Sequence, residues 1–495
     1  MKHLLVILLC STALTGCARM THYTPSEKAA PYAKAADDTN LKVPVDVPKF
    51  LTESEINTRF KPNSIERFAS YALSTSPVIA SDRFGLASSS VGVAQAMSFA
   101  NPQVNLDAGG GYTDNGGYTE GRDQAHLGLS ATWNFFDNGV GKQKADRERF
   151  RTLSANAKLQ ETGLSVALGS IEASLNVNRH RELVKVYERH LSTMQLKLVQ
   201  VSSMLSKQVP FITISDKEDL KAKVEQTQQR LSQARQLLRD EEARFVRTVG
   251  FAAPANIETP PLLSVPRKLD DALKAIDHHP SIEMTAHEFQ AALRMMQSID
   301  TEGLRIDAVI GTVALNLGTL IYNPVAGLAS IGTAGIKVSG ALLDGGDKDA
   351  RLDMSIGAVN VCTARYQDIN RVVIMATKQA HSAFIAAEEL EASTQREKQA
   401  LEVVLTTRWA DYSNGKGDVH SVMDAETALQ MAEARLITVK SDRLFSGYRV
   451  AAASGTLVKR LKLTDTVPVV VGSLDDSQPF KAPDSLVTLP TPAAK

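Results

Sequence analysis

His126-Leu127-Gly128-Leu129-Ser130-Ala131-Thr132-Trp133-Asn134-Phe135-Phe136-Asp137-Asn138-Gly139 is the stretch on which the reading of this chain turns. Leu127, Leu129, Ala131, Trp133 and Phe135 share one side of an extended chain, and His126, Gly128, Ser130, Thr132 and Asn134 share the other. Asp137-Asn138-Gly139 closes the strand. From about Gly141 to Leu205 a helical pattern then runs with only Gly163 and Gly169 as weak points. At 1.5 Å per residue such a helix is roughly 100 Å long, far beyond the needs of a globular domain. Upstream, Val104, Leu106, Ala108, Gly110 and Tyr112 alternate with Gln103, Asn105, Asp107, Gly109 and Gly111, so 103–136 reads as a strand pair.

The same plan recurs downstream. Phe135-Phe136-Asp137-Asn138-Gly139 reappears as Leu342-Leu343-Asp344-Gly345-Gly346, Ser76-Pro77-Val78-Ile79 as His279-Pro280-Ser281-Ile282, and Gln233-Ala234-Arg235 as Glu433-Ala434-Arg435. The offsets are 207, 203 and 200 residues, so one order of elements is written twice with small indels. A second strand pair is expected over 305–343, where Ala334, Ile336, Val338 and Leu342 oppose Thr333, Gly335, Lys337 and Ser339. Each half then has a helix, two strands, a very long helix, a tight turn and a returning helix.

The long helices carry coiled-coil spacing. Val184, Tyr187, Leu191, Met194, Leu198, Val201 and Leu205 follow a 3,4 pattern. The returning helix answers with Leu220, Val224, Thr227, Leu231, Ala234 and Leu238, and the last helix with Val422, Ala425, Leu429, Ala432 and Leu436. Each half thus ends in an antiparallel helical hairpin. These stripes are core.

Strands of about ten residues with one apolar and one polar face fit a transmembrane barrel wall. A half-buried soluble hairpin alternates in the same way, and pattern alone favours it. Four strands cannot close, and an open edge in lipid leaves backbone groups unpaired at a cost of several kcal/mol each. Three copies would give a wall of about twelve strands.

At the start of the chain, Lys2 and His3 precede an apolar run from Leu4 to Leu14 that is too short to span a bilayer. Leu14-Thr15-Gly16-Cys17 follows, with the spacing of a bacterial lipobox, so Cys17 is the expected site of acylation and cleavage falls before it. Ala18 stands where an Asp would retain a lipoprotein in the inner membrane, and the expectation is therefore an outer-membrane lipid anchor. Cys10 leaves with the signal and Cys362 has no partner, so no disulfide is expected. Formal net charge is zero, with 55 acidic and 55 basic residues, which implies no nucleic-acid surface. The aromatic fraction of 5% suits long helices better than a large globular core. The expected organisation is a signal peptide (1–16), a lipid-anchored tether (17–61), a first repeat (62–252), a Pro-rich linker (253–266), a second repeat (267–460) and a loosely ordered tail (461–495).

Lipobox, duplicated strand pairs, an Asp-Gly signature closing each second strand and coiled-coil hairpins together resemble the TolC-like outer-membrane efflux family over roughly residues 60 to 460. The sharpest match is Tyr412-Ser413-Asn414-Gly415, followed by Val422-Met423-Asp424-Ala425-Glu426. The resemblance implies a mainly α fold with a small β part. It also implies a homotrimer whose twelve-stranded outer-membrane barrel continues into a periplasmic helical barrel. A periplasmic adaptor would meet the turns, and an inner-membrane pump of the resistance-nodulation-division or ATP-driven kind would feed the duct. No cofactor and no metal are implied.

By the same resemblance the turn residues Arg408, Asp411, Tyr412, Asp418 and Asp424 are candidates for the aperture. Under threefold symmetry one Asp becomes a ring of three charges. The pattern departs from the family at Asp411, where Arg is common, at Ser421, where Asp is common, and at Asp418, where Ser is common; only Tyr412 and Asp424 carry over directly. Arg408 is a candidate basic partner for Asp411. The first turn, near Pro210 to Asp219, lacks the glycine, which leaves its register open. On the barrel, Leu127, Leu129, Trp133 and Phe135 are the expected lipid-facing residues.

Small-molecule efflux is the leading expectation, with type I protein or peptide export as the alternative within the duct reading. A lipid-anchored periplasmic coiled-coil spacer without a pore is the competitor from another class. An enzyme has little support: His278-His279 cannot both face one ion from a helix, and the Gly-rich stretches lack phosphate-binding spacing.

Overall fold

A computed structural model of the chain describes residues 53–113, 122–316, 334–341 and 343–463; at 107–113, 122–129, 310–316 and 334 the description is of backbone alone. In chain order the elements are α1 (Glu53–Arg59), α2 (Ile65–Thr75), α3 (Pro77–Met97), β1 (Gln103–Thr113), β2 (Arg122–Phe136), α4 (Val140–Ser206) and α5 (Ile214–Val249). They continue with α6 (Leu269–Leu273), α7 (Pro280–Asp300), β3 (Arg305–Asn316), β4 (Ala334–Ser339), α8 (Asp347–Ser413), α9 (Val419–Ala453) and α10 (Leu457–Arg460).

The duplication is visible in lengths. Helices α3 and α7 each have 21 residues and each begin on a proline, whose missing N–H costs nothing at that position. Helices α4 and α8 each have 67 residues, and α5 and α9 have 36 and 35. A chain turning from strand to helix must change direction within about two residues, and both halves do it with the same device. Asp137 accepts from the backbone of Gly139 at 3.0 Å and Gly141 at 2.6 Å, and Asp344 accepts from Gly346 at 3.0 Å and Lys348 at 3.1 Å. The residues between are left-handed: Asn138 and Gly139 at φ 56° and 84°, Gly345 and Gly346 at φ 65° and 88°. The carboxylate satisfies N–H groups that the first helical turn leaves orphaned. Those bonds hold the Asp344 carboxyl below its ordinary range.

The four strands form one antiparallel sheet in the order β1-β2-β3-β4, with both outer edges open among the described residues. Val104 lies opposite Ala131, Trp133 opposite Ala308, and Ala308 opposite Ile336, so these residues share one face. On it Val104, Leu106, Trp133, Phe135, Ile336 and Val338 are exposed. Asn134, Asp307 and Lys337 fall in one row on the other face, and Arg305 pairs with Asp307 at 2.9 Å. Register shifts at Leu129/Ala131 and Asn134/Phe136 bend β2. Strand β4 ends at Ser339, and Leu342, expected on its apolar face, lies outside the described residues.

The core is a series of layers along the helices. Around their middle, Ile65, Leu73, Ile79, Leu159, Ile171, Tyr448 and Leu457 join α2, α3, α4, α9 and α10. Beside them Phe68 meets Phe245 edge to face at 5.5 Å. No described helix is long and apolar enough to cross a membrane.

Candidate functional site: the paired turns and the layer above them

Helices α4 and α5 form the first hairpin and α8 and α9 the second, and their turns lie side by side. The first turn spans 207–213. Gln208 takes the left-handed conformation at φ 55° that a glycine would take more readily, and Thr213 with Asp216 forms a reciprocal capping box that starts α5. This settles the register that the missing glycine leaves open in the sequence. The second turn ends α8 at Asn414 and Gly415, the latter at φ 73°. A Cβ on Gly415 would lie 2.8 Å from the Phe211 ring, so the glycine serves both the backbone angle and the close approach of the first turn.

Tyr412 is 1% exposed and sits in a core shared by both turns, with Met194, Val201, Ile212, Leu220, Val419 and Val422. Its hydroxyl donates to Asp216 Oδ2 at 3.4 Å, a long bond across the two hairpins. Burial, and then the neighbouring Asp216 charge, push the phenol well above its usual range. A second polar link joins His420 of α9 to Asp219 of α5 at 3.6 Å, both at the surface.

The other candidates are placed differently. Asp418 is the N-cap of α9 and accepts from the Ser421 backbone at 2.6 Å, so its carboxylate is already engaged in starting the helix. Asp424 is exposed and its charge acts on Lys223 of α5. Arg408 is exposed and Asp411 half-buried, and among the described residues they form no ion pair with each other. Trp133 and Phe135 are exposed on the sheet with ring centroids 4.6 Å apart. The side chains of Leu127 and Leu129, and Cys17 altogether, lie outside the described residues.

Sequence reasoning missed the layer above the turns. His190 and Lys197 of α4 face Glu426 and Glu433 of α9, all four buried. His190 Nδ1 lies 2.8 Å from Glu426 Oε1, and Lys197 Nζ donates to Glu426 Oε2 at 2.5 Å. His190 Nε2 lies 3.4 Å from Glu433 Oε2. Lys398 of α8 reaches Glu433 at 3.3 Å, Arg189 reaches it at 3.4 Å, and Arg230 of α5 donates to Gln430 at 3.0 Å. Burial alone would raise the Glu426 carboxyl, but hydrogen bonds from His190 and Lys197 outweigh it and hold it low. All four long helices therefore meet at this layer, α4, α8 and α9 through ion pairs and α5 through the Arg230–Gln430 hydrogen bond. The signal in the sequence is two sevens: His190 to Lys197 and Glu426 to Glu433.

At the other end of the long helices, Gln103, Thr132 and Asn134 of the polar sheet face line a cavity of about 800 Å³ with Lys144, Glu302 and Arg305. The polar strand face therefore opens onto water-accessible, charged surroundings, opposite the apolar one.

No family model matches this sequence, and no curated protein matches it. Solved structures do. The chain is similar to CusC, a protein described as forming a transmembrane channel, at TM-score 0.72 and 16% identity, with 85% of this chain and 99% of that one covered. It is similar to the outer membrane protein VceC of Vibrio cholerae at TM-score 0.69 and 15% identity, covering 79% and 96%. Similarity to the MtrE outer membrane channel of Neisseria gonorrhoeae, solved in an open state, gives TM-score 0.67 and 13% identity, covering 84% and 98%. The chain has the fold of the TolC-like outer-membrane channels.

Proposed function

We propose that this chain is the outer-membrane exit duct of a tripartite export system, anchored by acylated Cys17 and passing small molecules outward. Three copies join their sheets into a twelve-stranded barrel, and the hairpins continue it as a helical tube into the periplasm. A periplasmic adaptor meets the turns, and an inner-membrane pump supplies the substrate. The single observation that carries this reading is the sheet. It is apolar on one exposed face, polar on the other, and among the described residues open at both edges, which lipid tolerates only after closure by further copies. In the closed tube Asp424 forms a ring of three charges near the turn, and the Tyr412–Asp216 bond holds the hairpins of one protomer together.

The test is the purified full-length protein in a planar bilayer. A detergent-stable trimer with steady conductance is expected. Ala131→Arg places a charge on the lipid face and should block assembly, at about 2–4 kcal/mol if it lies near the midplane. Thr132→Arg faces water and should assemble with altered conductance. Asp424→Asn should weaken cation preference. A monomer without conductance, equally indifferent to both arginines, would instead make the chain a lipid-anchored spacer.

A further inference from the structure

The buried layer of His190, Lys197, Glu426 and Glu433 does more than pack. It lies between α4 of the first hairpin and α9 of the second and overlaps the upper end of the shared turn core, whose Met194 falls between His190 and Lys197 on α4. Among the side chains of this layer, the imidazole is the type that gains or loses its charge within the physiological range. His190 is 6% exposed and has a carboxylate at each ring nitrogen, Glu426 at Nδ1 and Glu433 at Nε2. Nε2 at 3.4 Å makes no hydrogen bond in this arrangement, which leaves a buried polar atom facing an acidic oxygen. A neutral ring can donate to only one of the two carboxylates, and its other nitrogen then turns a lone pair toward the second.

We propose that His190 is a proton-operated latch between the two hairpins: as an imidazolium it adds a bond to each of Glu426 and Glu433 beside those of Lys197 and Arg189, and on losing a proton it gives up one of its two bonds. The charged groups facing it are known from every packed element: Glu426 and Glu433 from α9, Arg189 and Lys197 from α4, and Lys398 from α8, the last also bound to Glu402 at 3.2 Å. From α5, Arg230 approaches through Gln430. Protonation therefore places a cation between two anions that already have cationic partners in Lys197, Arg189 and Lys398. The sign follows. Acid that protonates the imidazole tightens the pair of hairpins, and only acid strong enough to protonate Glu426, whose carboxyl is held low, loosens them. The consequence for passage rests on the duct reading above: a tightened α4–α9 contact favours the narrowed end, so the aperture closes as the surroundings acidify.

Two readouts on the full-length protein test this. The melting temperature should fall by several degrees from pH 5.5 to pH 8 in the wild type, and most of that fall should vanish in His190→Gln, which keeps one donor but cannot titrate. Single-channel conductance or open probability should rise about two-fold or more over the same range in the wild type and stay flat in His190→Gln. Should that variant fail to fold, Glu433→Gln removes the second carboxylate and should flatten the same profiles. His278→Gln, at an exposed imidazole outside this layer, should leave them unchanged. Retention of the full pH response in His190→Gln, or its loss in His278→Gln, would overturn the latch. A His190-dependent melting profile in a protein that carries no current would support the latch and overturn the duct.

Discussion

The two strand-to-helix junctions of this molecule are copies of each other, while the two turns at the far end of the hairpins are not. Asp137 and Asp344 each cap a long helix through two backbone N–H groups beside two left-handed residues. At the other end, one turn uses Gln208 and a Thr213–Asp216 capping box, and its neighbour uses Asn414-Gly415 and an Asp418 cap. Each junction solves one problem alone, re-aiming a strand into a helix, so both halves keep one solution. The turns must fit each other. Asp216 receives the Tyr412 hydroxyl, Phe211 covers Gly415, and Asp219 meets His420. Contacts that each turn makes only with its neighbour place different demands on the two, and the repeat has diverged where its two halves touch.

The contrast between self-sufficient junctions and interdependent turns can be broken most severely just above the turns. Glu426→Ala would leave Lys197 and His190 buried without their carboxylate, and removing one member of a buried ion pair costs about 3–5 kcal/mol. Chemical denaturation followed by helical circular dichroism should show that loss, together with early melting of the hairpins. Next comes Gly415→Ala, expected to cost about 1–3 kcal/mol, part from the backbone angle and part from the Phe211 ring. A double-mutant cycle with Phe211→Ala should recover the contact part only. Full additivity would mean that the turns do not depend on each other. In the opposite direction, Gln208→Gly should stabilise by up to about 1 kcal/mol, because it relieves a left-handed side chain at a turn that lacks glycine. Tyr412→Phe is the smallest of the turn changes, at most about 1 kcal/mol for a 3.4 Å bond, and in a bilayer it should raise conductance slightly.

The second junction should respond to acid. Asp344 is held below its ordinary range by the Gly346 and Lys348 amides. The stability it contributes is present above the carboxyl's unfolded value and disappears as pH falls through the folded one. Asp344→Asn should remove that acid-limb dependence, and an unchanged acid limb would sink the assignment.

Much of the architecture was legible because it depends on local pattern. Alternation at 127–136 needs only the chain's own period, the helices need only an absence of breakers, and Asp137-Asn138-Gly139 carries its own turn chemistry. The helix expected from Gly141 to Leu205 runs from Val140 to Ser206. What could not be read depends on which helix faces which. His190 and Lys197 stand one position before the apolar residues Leu191 and Leu198, where a single hairpin would leave them in water. Only the packing of α9 on α4 buries them, and no periodicity within α4 announces that partner. Tyr412 was legible as a special position, but its burial against Asp216 was not, since the contact spans 196 residues. Asp418 illustrates the reverse: its charge was legible, but that its carboxylate caps α9 was not singled out.

Each 67-residue helix is also a lever. Pivoting about the Asp137-Asn138-Gly139 corner, an arm of roughly 100 Å turns one degree of tilt into roughly 1.7 Å of travel at its tip. Hydrogen bonds such as that between His190 and Glu426 fail over less travel than this. A change at the sheet end too small to notice locally is thus large enough at the turns to engage or disengage the whole tie between hairpins.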